Sequence, residues 1–515
     1  MRGVFSAGKD HTQDHYQAGF NCGSQSKDDI ITSAAAQKYI KRFVVAKDTA
    51  YNSAAGVSAQ EQENRQRLPI WRRVLLVLVV AAMVVVAGVI IASYVAQRRL
   101  GGEIVRISRA GEPVTFTDLR FDDQNQATAG LDAAGLYVEA VRQINPKDLA
   151  KLVQLNVFYR TNLVSLPASQ FPSDLHEKME QTLTNAKPMF AKLDKGASLG
   201  LSGYDIGIIH GNQACRTRLD SVEGTVFLLS LRTLDSILNR DGNEAAESII
   251  STLKMMRVFD VQPTMLVQGR KIICVRLVCS DIQILLMYCN PSEKQLKEMQ
   301  TLLQKSLGSD SLEKTLMAER VYQLEVARNI LPKDVASKYL MADVPNLPER
   351  LTLPGLSWHR MRLYTGSLRY LHNLAWFITV AHKPWPEPLD EIMDANKTYS
   401  EKTNKLMSAV VPFSRLTAET LAFVRCTTTA VAIERYRHQN KKLPDSLNDI
   451  LPLYIESVPL DPFTGKPLLY TRDGQSFTVY STGFNRIDDG GVLVPKPDEP
   501  AAFDIGISIK RTAIK

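Results

Sequence analysis

Between Val74 and Val95 the chain reads VLLVLVVAAMVVVAGVIIASYV, without a charge and without a polar stripe. As a helix this run is about 33 Å long, enough to cross the hydrocarbon core of a bilayer. Its many Val, Leu and Ile side chains favour insertion by about 4 to 8 kcal/mol in total, at roughly −0.3 to −0.6 kcal/mol each. A helix buried in a soluble core would carry a polar face over so many turns, so the pattern predicts one transmembrane helix over residues 74–95. Arg65, Arg67, Arg72 and Arg73 precede it and Arg98, Arg99, Arg106 and Arg109 follow, which leaves the positive-inside comparison balanced. The long polar stretch before the run argues against a cleavable signal peptide, so the helix is expected to remain as an anchor. Cys22, in AGFNCG, lacks the small preceding residues of a lipidation site and reads as an ordinary thiol.

On either side of this run the patterning changes. Residues 1–70 are rich in Ser, Gln, Asn, Asp, Lys and Ala and read as a flexible N-terminal tail, with one apolar patch at Tyr39 to Val45. A juxtamembrane stretch from Gly101 to Phe121 is expected to pair as a strand or to act as a spacer. Between Ala127 and Leu331, within an ectodomain spanning residues 101–331, the apolar positions recur at three and four, for example Val222, Val226 and Leu229, or Leu296, Met299 and Leu303. That spacing predicts an α-helical ectodomain, an irregular bundle without a fixed repeat. Ser292 with Gln295 makes a capping box, and Gly242 in NRDGNEAAE joins two helical patterns as an antiparallel pair. Pro332, Pro345, Pro348 and Pro354 mark residues 332–357 as a linker, and helical patterning resumes over 358–412.

Residues 413–515 read as a small α+β tail. A long helix is expected to end near Asn440, Pro444 opens a short helical turn through Leu447 and Ile450, and Pro459 to Pro467 is rich in turn residues. LLYT and FTVY then face each other across RDGQ, where Asp473-Gly474 suits a tight hairpin. Tyr470, Phe477 and Tyr480 are expected to cover the preceding helix. The fold class is therefore mainly α, with a flexible N-terminal tail, one transmembrane helix, an irregular helical ectodomain, and a C-terminal long helix with an antiparallel hairpin.

The run AIERYRHQNKKLPDSLNDIL, then VPLDPFTGKPLLY, then FTVYSTGFNRIDDGG and finally Phe503-Asp504-Ile505 is similar to the C-terminal part of the major pseudopilin of bacterial type II secretion systems. The whole chain also resembles large bacterial single-pass envelope proteins in which a helical region precedes such a tail. A pseudopilin carries its apolar helix directly before the tail helix and behind a Gly-Phe peptidase site; here no such site precedes Val74 and a long helical region intervenes. What the resemblance implies is an inner-membrane protein with a cytoplasmic N-terminus and a periplasmic C-terminal region, in contact with the lipid bilayer and with other envelope or secretion proteins. It also implies a calcium ion in the loop after the last hairpin strand, where the matching positions are Asn485, Asp488, Asp489 and Asp504. Calcium takes six to eight oxygens, and a solvated Asp-Asp-Gly-Gly turn is the competing reading of the same residues.

Composition adds exclusions. Lys and Arg outnumber Asp and Glu by 62 to 54 without a long basic run, so nucleic acid is not an expected partner. The scattered His residues form no HExxH or other ligand spacing, and neither a GxSxG elbow nor a Walker loop occurs. Cys274, Cys279 and Cys289 lie in apolar helical context and read as buried inert thiols; in an oxidising compartment one pair among these, Cys215 and Cys426 could bridge. His372 reads as a packed or surface side chain, and Trp358, Tyr364, Tyr370 and Trp376 read as core. The expected protein is not an enzyme but a membrane-anchored envelope protein with a structural or assembly role; the alternative is a membrane-anchored ligand- or partner-binding module unrelated to secretion.

Overall fold

A computed structural model describes residues 69–119, 133–143, 149–163, 173–199, 212–327, 353–398, 405–493 and 503–511. The flexible tail expected over residues 1–70 lies almost wholly outside them. The chain divides between Met83 and Val84 into two compact units. In the first, the described residues are the leading turns of a helix, α1 (Ile70–Arg109). This helix is long and apolar enough to cross a membrane, and its side chains from Ile70 to Val80 are exposed. Residues 101–109, expected as a strand or spacer, are the end of α1. Gly101 and Gly102 do not break it, because Ile104 and Ile107 continue the side that packs on other elements.

The second unit is mainly helical. Its described elements after α1 are α2 (Ala133–Val141), α3 (Leu149–Leu163), α4 (Ser173–Ala197), α5 (Asn212–Leu238), α6 (Gly242–Met255), α7 (Met265–Tyr288), α8 (Glu293–Ser306), α9 (Ser311–Ala327), α10 (Leu353–Ala381), α11 (Glu387–Thr398) and α12 (Lys405–Asn440). They are followed by β1 (Leu469–Asp473), β2 (Ser476–Ser481) and β3 (Ile505–Ile509). The Gly242 turn forms as expected: Arg240 adopts a positive φ, Asp241 caps α6 by accepting from the Glu244 amide at 2.9 Å, and α5 packs on α6. The Ser292–Gln295 capping box opens α8. Leu353 to Ser357, placed in the Pro-rich linker by the sequence, are the first turns of α10, since proline is tolerated in a helix's opening turn.

α12 is the axis of this unit. It packs on α7, α8, α11, β2 and β3, so it is buried on several sides although it carries many hydroxyls. Ser414, Thr417, Thr420, Thr427 and Thr429 each donate to the carbonyl four residues earlier, at 2.8 Å in every case. These bonds satisfy the hydroxyls within the helix itself, which lets a polar sequence sit in the core.

The sheet order is β1-β2-β3, antiparallel throughout. Asp473 pairs with Ser476 and Gly474 takes the positive φ, as the hairpin reading requires. β3, which the sequence reading did not separate, pairs Val479 with Ile507 and Tyr480 with Gly506. A Cβ at Gly506 would collide with the Val479 carbonyl oxygen, so only glycine fits that approach. Phe477 and Val479 lie on one face of the sheet, with the Tyr470 ring 6.3 Å from that of Phe477. Tyr480 corrects the expectation, because period-two alternation turns it to the opposite face, where it packs on Gly491 and bonds Asp488. One hydrophobic cluster runs from Ala133 through α5, α7 and α12 to Ile509. Gln283 on α7 donates to the Ser508 carbonyl at 2.9 Å, and Gln300 on α8 donates to the Tyr454 carbonyl at 2.8 Å. The C-terminal long helix and its sheet are thus built into the helical core.

Candidate functional site

The turn-rich segment LDPFTGKP owes its shape to one buried carboxylate. Asp461 accepts from the Phe463 amide and the Ser481 hydroxyl at 2.8 Å, and from the Thr482 amide and hydroxyl at 3.0 Å. Its own backbone closes the turn through Lys466 and Gly465, with Gly465 at positive φ. Phe463 is driven fully into the core beneath. The carboxylate therefore ties the segment to the end of β2, and the residues before it, 452–460, are held over α8 and α12.

Between that segment and the helices lies a groove of about 740 Å³. Its floor is built from Gln300 on α8 and from Arg425 and Arg435 on α12, one wall from Trp385, and the rim from Leu453 and Leu460, which are 71% and 48% exposed. Trp385 is fixed by donating its indole N–H to the Ser309 carbonyl at 3.0 Å. Arg435 is committed: its Nε donates to Glu293 at 2.7 Å, another nitrogen to Gln300 Oε1 at 2.9 Å, and its guanidinium lies 5.4 Å from the Tyr454 ring centre.

Arg425 is different. It donates to the Leu460 carbonyl and to the Ser309 hydroxyl, the latter at 2.8 Å, and it has no ion pair among the described residues. Burial holds this guanidinium below the usual arginine range, offset in part by the field of Asp461. Lys297, also in the lining and exposed, likewise has no ion pair among the described residues. The acidic residue of the lining is Glu456, which faces solvent. The groove thus joins a half-buried cation to an aromatic wall and an apolar rim, a combination suited to a negatively charged chain with apolar side groups.

The four residues matched to the calcium loop are brought together by hydrogen bonds. Asn485 Nδ2 donates to Asp489 at 3.1 Å; the Asp489 and Gly491 amides donate to the two oxygens of Asp504, at 3.4 and 2.7 Å. Asp488 Oδ1 accepts from the Tyr480 hydroxyl at 3.2 Å and the Gly490 amide at 2.9 Å. The carboxylates thus already accept donors of their own loop. No group of three or more His, Cys, Asp or Glu among the described residues is arranged to hold a metal ion.

Other sequence expectations fall as follows. Cys215 is buried, Cys274, Cys279, Cys289 and Cys426 are buried free thiols, and burial pushes these four up. His372 is exposed. Tyr364 and Tyr370 are core, but Trp358 and Trp376 are 46% and 41% exposed, which corrects their assignment to it. A buried network between α3, α5 and α7 had no sequence signal. Arg160 pairs with Asp281, Ser230 donates to Asp281 at 3.1 Å and to Asn156 at 2.7 Å, and burial pushes the Asp281 carboxyl up to about 6 against the pull of Arg160.

Comparison with protein-family models, with curated proteins and with solved structures returns no match.

Proposed function

We propose that this is a single-pass envelope protein of structural or assembly role, anchored by α1, whose helical body holds an acidic, extended segment of a neighbouring protein in the Arg425 groove. The observation that carries the reading is Arg425 itself. A half-buried guanidinium without a carboxylate is incompletely satisfied, and an incoming carboxylate would complete it with a charge-assisted bond. Trp385 and the exposed Leu453 and Leu460 would receive the apolar side chains between the acidic ones. The bacterial inner-membrane setting, and the link to secretion-like machinery, rest on the resemblance of the tail.

The test uses detergent-solubilised full-length protein and a fluorescent peptide of alternating Glu and Leu, read by anisotropy. Binding is expected, with Arg425→Gln weakening it by tenfold or more, the equivalent of about 1.4 kcal/mol. Arg472→Gln, which removes a cation paired with Asp445 on the sheet, should leave binding unchanged. No binding, or equal loss from both substitutions, would overturn the assignment of the groove.

A further inference from the structure

α1 does not lose contact with protein where its apolar run ends. One side of it is partly or wholly covered from Val86 through Val89, Ser93, Ala96 and Leu100 to Ile107, at helical spacing. The covered stripe begins inside the apolar run, so the helical body comes up to the bilayer surface.

The elements beside α1 have a direction. Arg320 of α9 pairs with Glu112, beyond the end of α1, whereas Leu324, one turn later, joins Ala96 and Leu100 in a cluster with Tyr364 and Leu371 of α10. α9 therefore descends toward the apolar run. α10 packs on α9 and returns: Tyr370 lies beside Glu319 and Tyr322, and the field of His372 reaches Glu103. Residues earlier in α10 accordingly lie nearer the apolar run, and the membrane-proximal end of this helix is its N-terminal one.

That end carries Trp358, Arg360 and Arg362, all exposed. The helix contains no acidic residue over its 29 positions. α1 itself leaves the apolar run with Arg98 and Arg99, both exposed and without an ion pair among the described residues. An exposed amphipathic indole and exposed arginines on the helix ends nearest the apolar run have the chemistry of the headgroup layer.

We infer that Arg98, Arg99, Arg360 and Arg362, with Trp358, form a collar that binds the phosphate headgroups of anionic phospholipids and seats the body on the membrane. The inference rests on α1 being a membrane span, and it goes beyond anchoring by naming a second, lipid-selective contact. Trp376 supplies an internal ruler, since it lies on the same face of α10 about 27 Å further along the helix.

The experiment reconstitutes full-length protein in vesicles of phosphatidylcholine, or of phosphatidylcholine with phosphatidylglycerol, each carrying bromine-labelled acyl chains as a quencher. One variant keeps only Trp358 (Trp71, Trp376 and Trp385 changed to Phe) and another keeps only Trp376. Trp358 emission should be quenched, and more strongly with phosphatidylglycerol, while Trp376 should not be quenched. Changing Arg98, Arg99, Arg360 and Arg362 together to Gln should reduce Trp358 quenching in the anionic vesicles to the neutral-vesicle level. Protein that floats with the vesicles while Trp358 stays unquenched, or is quenched no more than Trp376, would overturn the collar and leave the anchor standing. Protein that fails to float would overturn both.

Discussion

Val84 and Val85 lie near the middle of the apolar run, and each is 65% exposed, away from the covered stripe that begins at Val86. Replacing both with Arg therefore changes what α1 offers to lipid without removing a contact inside the body. Near mid-bilayer each arginine costs about 2.5 to 3.5 kcal/mol, so the pair costs about 5 to 7 kcal/mol. Insertion gains about 4 to 8 kcal/mol from the aliphatic side chains, which leaves the double variant near balance. Flotation of membranes after an alkaline wash, which strips peripherally bound protein, reads the outcome. The unmodified protein should float fully and the double variant should be largely lost from the floating fraction. Val105→Arg, an exposed change on α1 beyond the apolar run, should float like the unmodified protein. Undiminished flotation of the double variant after the wash would refute the reasoning that residues 74–95 are the anchor.

Three further outcomes follow from the body. Asp461→Ala strips the acceptor from two amides and two hydroxyls at once, and should destabilise the protein by about 3 to 5 kcal/mol in urea unfolding, as for other broken buried charge networks. Asp281, with its folded pKa raised to about 6 from an unfolded value near 3.9, binds its proton more tightly in the folded chain. Its contribution to stability should therefore fall as pH rises from about 4 to 6, and Asp281→Asn should remove that slope in denaturation measured across the window. Because the Asp504 oxygens already accept amides, melting should be equal with calcium and with chelator; a calcium-dependent rise that Asp504→Asn abolishes would instead assign the ion to this loop.

Much of this architecture is legible locally. The apolar run, the Ser292–Gln295 capping box, the Gly242 turn and the Asp473-Gly474 hairpin depend on neighbours within a few residues, and each forms where its pattern stands. What the sequence hides is long-range. Whether Tyr480 meets the helix or the loop depends on sheet alternation together with the return of residues 503–511, and β3 is separated from the hairpin by a stretch without strand patterning. The glycines after Arg99 suggest an end to α1, but packing of Ile104 and Ile107 outweighs a propensity cost of about 1 kcal/mol per glycine. The groove was invisible for the same reason, since Lys297, Trp385 and Arg425 meet only through the folding of α8, α12 and the connection between α10 and α11 around the Asp461 turn. Trp358 and Trp376 read as core because periodicity reports a stripe without saying which stripe is covered.

α1 is long and apolar enough to cross a membrane, and the function proposed above has it do so, with the N-terminal segment on one side of the bilayer and the helical body on the other. The body's described cysteines are all buried, so a single surface cysteine can report its side cleanly. Thr301→Cys places one on an exposed position of α8. In intact cells with a permeabilised outer barrier, a membrane-impermeant thiol reagent should label this introduced cysteine and leave native Cys22 unlabelled until the inner membrane is broken. Labelling of both before the membrane is broken, or protection of both, would contradict the account.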